Sequence, residues 1–133
     1  MDIRKKQRVV VEALEDIKGH DILVYNTARM PSMFERVVIA SGDSTRQVKA
    51  LAHSVQEKAR ENGAQVYGVE GEAVGDWVLV DLGDVVVHIM HPTVRDFYNL
   101  EEVWGGRPVR LKRPGAAKAR KARGKAARPR RKR

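Results

Sequence analysis

The spacing of apolar residues changes along this chain, and each change of period marks an element. Val10, Leu14 and Ile17 recur at i, i+4 and i+7, which predicts one stripe of a helix ending at Lys18-Gly19. DILVY, Asp21 to Tyr25, is short and continuously apolar after its first residue, as a buried strand is. MFERVVIASG supplies a second strand over Phe34–Ala40, after a loop containing Pro31. Ser44 followed by Gln47 fits a capping box, and Val48, Leu51, Ala52, Val55 and Ala59 then keep helical spacing until Gly63 stops it. AQVYGV predicts a third strand and EGEAVG a flexible acidic connector. There is no internal repeat.

The most informative stretch is DWVLVDLGDVVVHIM, Asp76 to Met90. With Gly83-Asp84 as a two-residue hairpin turn, Leu82 faces Val85, Val80 faces Val87 and Val78 faces Ile89, an unbroken apolar face for the core. On the opposite face Asp81 opposes Val86, Leu79 opposes His88 and Trp77 opposes Met90, with Asp81 diagonal to His88 and expected to hold it. That second face is too apolar for open solvent and too polar for an ordinary core. It needs a cover, supplied by the protein's own helices or by a partner. Beyond the hairpin, Pro92 suits the first turn of a helix with Val94, Phe97 and Tyr98 on one side. Asn99 then caps a short turn carrying Leu100, Val103 and Trp104, which Gly105-Gly106 terminates. Helices and strands mix without strict alternation, so the pattern predicts an α+β fold with a mixed sheet flanked by helices.

Charge divides the chain in two. Of the 26 lysines and arginines, 14 lie beyond Gly105, where there is no acidic residue; the other 12 stand against all 17 acidic residues, a net charge of −5 for the body. The +9 of the whole chain is therefore a property of its tail. That tail lacks aromatics and offers only Val109 and Leu111 as large apolar residues, too few to offset the entropy of ordering. The reading is a folded domain over residues 1–105 and a disordered Lys/Arg/Ala-rich tail over residues 106–133. The tail's cations, Arg107, Arg110, Lys112, Arg113, Lys118, Arg120, Lys121, Arg123, Lys125, Arg128, Arg130, Arg131, Lys132 and Arg133, suit contact with RNA phosphates. Glu12, Glu15 and Asp16 interrupt the first apolar stretch too early for a secretory signal, and no run approaches the ~20 apolar residues that cross a bilayer. With no cysteine as well, a cytoplasmic protein that makes no membrane contact is expected.

Candidate chemistry is thin. Asp76, Asp81 and Asp84 could serve as paired carboxylates, but Asp84 is a natural turn residue and Asp76 a strand start. His88 and His91 have no cysteine or carboxylate completing a metal set, and no nucleophile–base pair stands out. GDSTRQ, Gly42 to Gln47, offers free amides at a helix start, which the capping box explains without a ligand. The expectation is no catalytic residue, no metal and no cofactor.

The body also resembles a known family. ALEDIKGHDILVYN, VVIASGDSTRQVKALAHSV and GDWVLVDLGDVVVHIMHPTVRDFYNLEEVWG are similar to the ribosomal silencing factors, also called the Iojap family, over nearly all of Val9 to Gly105. Trp77, Asp81, Gly83, His88, Arg95, Tyr98, Leu100, Glu101 and Trp104 stand in that family's order and spacing. Asn26 stands where family members often have an aspartate, the Asn26–Glu35 loop departs from the usual form, and the basic tail lies outside the common core. The resemblance implies a nucleotidyltransferase-like mixed sheet without catalysis. It further implies a translational repressor that binds the large ribosomal subunit through ribosomal protein fourteen and blocks joining of the small subunit. The partner surface is then expected to comprise Trp77, Leu79, Asp81, His88, Met90, Arg95, Tyr98, Leu100, Glu101 and Trp104. Whether the chain also forms a homodimer stays open. Two alternatives compete with this reading. An active nucleotidyltransferase, suggested by the GDS turn, lacks the close Asp-x-Asp pair that such an enzyme places after it. As the whole story, a nucleic-acid-binding protein acting through its tail is at odds with the acidic body.

Overall fold

The computed structural model describes residues 1–28 and 34–104. The central residues of the Asn26–Glu35 loop, the side chain of Trp104 and everything from Gly105 onward, the basic tail included, lie outside the described residues.

The elements run α1 (Ile3–Asp16), β1 (His20–Asn26), β2 (Arg36–Ser41), α2 (Thr45–Glu61), β3 (Gly68–Glu70), β4 (Trp77–Asp81), β5 (Val85–Met90), α3 (Pro92–Tyr98) and a 3-10 helix, Leu100–Trp104. The five strands form one mixed sheet in the order β1-β2-β5-β4-β3, in which only the β2–β5 pair is parallel. The fold is thus the expected α+β arrangement. The hairpin has the register that its alternation dictates, with Trp77 opposite Met90, Leu79 opposite His88 and Asp81 opposite Val86.

Strand alternation sorts residues onto two faces. On one, Ile22, Val24, Val38, Ala40, Val78, Val80, Val85, Val87 and Ile89 meet the buried stripes of α1 and α2 in the main core. Burial of each such valine or isoleucine side chain stabilises the fold by roughly 1.5–3 kcal/mol. On the other, Leu23, Tyr25, Val37, Ile39 and Met90 form a second cluster, with Phe34, Trp77, Val94 and Leu100 packed partly buried against it. Because β1, β2 and β5 are buried on both faces, they read as apolar runs. β4, with burial that alternates, does not.

Five local expectations are corrected. Helix α1 stops one residue before Ile17, which caps it and is 37% exposed, because Lys18 turns into the left-handed region and carries the chain away from the stripe. The second strand begins at Arg36, not Phe34, and the third shrinks to Gly68–Glu70 at the sheet edge. The capping box is displaced on one side: Ser44 accepts from the Gln47 amide as expected, but Gln47 Oε1 accepts from the amide of Asp43 at 2.6 Å. Asn99, left-handed at φ 49°, ends α3, and its carbonyl accepts from the Glu102 amide to begin the 3-10 helix.

Candidate functional site

The second face of the sheet is sealed over β2 and β5 and opens toward β4, where Trp77, Leu79 and Asp81 are partly exposed. The side chains there form a graded series from inside to outside. Met90 is fully buried, and His88 lies above it at 8% exposure. Trp77 Nε1 donates to His88 Nδ1 at 3.1 Å, so the imidazole accepts at that nitrogen and its proton sits on Nε2. Burial pushes the His88 pKa down to about 4, which keeps the ring neutral and the acceptor available. Next in the series, the Tyr98 ring lies 5.0 Å from Trp77 at a tilt of 49° and is 54% exposed. Phe97 then stands edge-on to Tyr98, again at 5.0 Å, and is 80% exposed. Trp77, Tyr98 and Phe97 make a continuous aromatic ridge, with its base in the second core cluster and its crest in solvent.

Two backbone features set Trp77 in place. Its strand partner is Met90 of β5, at the open end of the hairpin. Gly71, at φ 89°, lies so close to β4 that a Cβ there would meet the Trp77 carbonyl oxygen at 2.1 Å. Only glycine tolerates both the angle and the approach. At the closed end the turn is tied down from below: Lys6 of α1 donates to Asp84 Oδ1 at 2.6 Å and to the Leu82 carbonyl at 3.1 Å.

Several expected contact residues make contacts within the chain itself. Asp81 does not hold His88; its carboxylate turns back and accepts from the Gly83 amide at 2.8 Å, closing the hairpin turn. Met90 has no exposed surface to offer, and His88 next to none, so both support the ridge from beneath. Arg95 is the buried side chain of α3, 5% exposed, because it points at the sheet while Phe97 and Tyr98 point away. The expected apolar side of Val94, Phe97 and Tyr98 is therefore split. Leu79, Leu100 and Glu101 are partly exposed beside the ridge. Phe97 was missed as a surface residue, since its apolar character suggests the core. A signal was available, because α3 has only seven residues and cannot turn every side inward. Among the described residues, no group of three His, Cys, Asp or Glu side chains is placed to hold a metal ion.

A mixed sheet with helices over one face and an exposed aromatic ridge at the rim of the other defines an α+β protein with an exposed aromatic surface. The chain belongs to the ribosomal silencing factor family: the family model "Ribosomal silencing factor during starvation" matches residues 1–133. It is 55% identical over 106 residues to the ribosomal silencing factor RsfS of Chromobacterium violaceum, covering 80% of this chain and 87% of that one. To RsfS of Bacillus subtilis it is 40% identical over 102 residues, covering 77% of this chain and 86% of that one. A crystal structure of a protein from Chromobacterium violaceum superposes with a TM-score of 0.79 at 51% identity, covering 85% of this chain and 94% of that one.

Proposed function

We propose that this chain is a translational repressor that docks on the large ribosomal subunit through ribosomal protein fourteen and so excludes the small subunit. The observation that carries the reading is the aromatic ridge. Trp77 and Tyr98 present rigid, partly exposed rings above a packed cluster, the kind of anchor that supplies most of the affinity at a protein interface. The names of the relatives point the same way, to a regulatory factor and not an enzyme. Leu79, Leu100 and Glu101 flank the ridge in this proposal, Trp104 is assigned to the same partner contact, and the cations of residues 106–133 add a phosphate-directed contact with ribosomal RNA. The protein acts in the cytoplasm. No helix of the described residues is long and apolar enough to cross a membrane.

The test is a subunit-joining assay. Purified protein, added to isolated large subunits before small ones, is expected to suppress formation of the joined particle in proportion to its occupancy of the large subunit, measured by light scattering and sedimentation. Joining at the normal extent on fully occupied large subunits would sink the proposal. The nucleotidyltransferase alternative requires transfer of label from nucleoside triphosphates with Mg²⁺, and none is expected.

A further inference from the structure

The ridge depends on α3 and the 3-10 helix being held against the sheet, and neither can hold itself. They are seven and five residues long, below the length at which a helix persists in water. Among the described side chains their apolar grip is slight: Val94 and Leu100 pack only partly buried on the second cluster, while Phe97, Tyr98 and Val103 face solvent. Arg95 adds a polar anchor. Its Nη1 donates to the Asp21 carbonyl at 2.7 Å and to Ser41 Oγ at 2.9 Å, and its Nε lies 3.5 Å from Glu101 Oε1. One guanidinium thus joins α3 to the beginning of β1, the end of β2 and the 3-10 helix.

The sheet is shaped to receive it. Register between β1 and β2 shifts between His20 and Leu23, and Asp21 sits at φ 50°, a left-handed angle that few residues other than glycine adopt. The irregularity leaves the Asp21 carbonyl accepting from Arg95. We infer that Arg95 is a positioning residue, a latch that docks α3 on the sheet end and thereby fixes Tyr98 over Trp77 for the partner. This rests on the reading of the ridge as the partner surface. Arg95 acts from beneath it, since a side chain 6% exposed has almost nothing to give a partner directly.

Two readouts on the full chain test the latch: the nuclear Overhauser effect between the Tyr98 ring and the Trp77 indole, and affinity for isolated large ribosomal subunits. Arg95→Met is expected to lose the Overhauser contact and to bind about 10-fold more weakly, because apparent affinity scales with the fraction of molecules in the competent arrangement. Amides of β2 and β5 should keep their protection from hydrogen exchange, since the main core lies on the other face. Arg95→Lys, which keeps the charge but not the planar fork, should recover both readouts only in part. A persistent Trp77–Tyr98 contact in Arg95→Met overturns the latch, and loss of that contact at unchanged affinity overturns its role in binding. Tyr98→Ala separates the two proposals: parental binding by that variant means that the ridge reading has failed, whatever Arg95 does to the Overhauser contact. If Arg95→Met does not fold, Ser41→Ala removes a single acceptor and should show the same losses on a smaller scale, about 3-fold in affinity. No change in either readout there also overturns the latch.

Discussion

Trp77 has its base in the second core cluster and one side facing solvent, so truncating it has two separable costs. Trp77→Ala should retain a single cooperative thermal transition near that of the parent, because the main core is untouched, while affinity for large subunits falls ~30-fold, or about 2 kcal/mol. Calorimetry and a binding titration on the same preparation check this. Collapse of the transition would assign Trp77 to the core, and parental affinity would remove it from the interface. His88 makes a prediction of its own through linkage. Its pKa is about 4 in the folded protein and about 6.5 unfolded, so as pH falls below about 6.5 the unfolded chain takes up the proton first. The stability that neutral His88 contributes is complete above pH 6.5 and is lost progressively down to pH 4, on the order of 3 kcal/mol in all. Urea unfolding of the parent and of His88→Gln across this window should give curves that diverge as pH rises. Parallel curves would show that His88 is not the titrating group.

The hairpin β4–β5 was legible in the sequence to the residue. A two-residue turn fixes register, and register fixes faces, so Gly83-Asp84 and the alternation around it left a single arrangement. The connector before it was not legible in that way. EGEAVG reads as flexible, yet Gly71 is held against the Trp77 backbone, a constraint that exists only once β4 lies beside it. Gly71→Ala should therefore be disproportionately destabilising for a surface position, by about 2 kcal/mol or more, since it incurs both the left-handed angle and a clash with a backbone atom that cannot rotate away. Thermal unfolding of that variant beside Gly63→Ala provides the comparison. Gly63 shares the positive φ but has open space around its would-be Cβ, so its loss should be the smaller. Equal losses would mean that the close approach to Trp77 contributes nothing. Helix α3 was legible only in its start, Pro92. Which of its sides turned inward depended on the carbonyl of Asp21, some seventy residues away in sequence.

At the scale of the whole molecule, the proposed function assigns shape recognition to the acidic body and screened attraction to the strongly basic tail. Deleting residues 107–133 should leave the thermal transition unchanged, weaken binding to large subunits at low salt and flatten the dependence of log affinity on log salt, because each phosphate contact releases condensed counterions. Titrations at several salt concentrations measure the slope directly. An unchanged slope would show that the tail's cations do not meet phosphate in the complex.

The sequence by itself determined what local physics controls. It set the apolar stripe of α2 and its Ser44 cap, the hairpin with its turn and facing pairs, and the division of charge between body and tail. The resemblance to ribosomal silencing factors rested on these stretches and also on Ala13–Asn26 and on Arg95, Tyr98, Leu100, Glu101 and Trp104 beyond the hairpin. Tertiary structure decided everything that one segment does to another. Examples are the parallel union of β2 with β5, the exposure of Phe97 and the turning of Asp81 to its own hairpin instead of to His88. The burial of Arg95 belongs with them. Periodicity records that a position is covered but not what covers it, and a charged residue reads as surface until the carbonyl that receives it has been brought there by the fold.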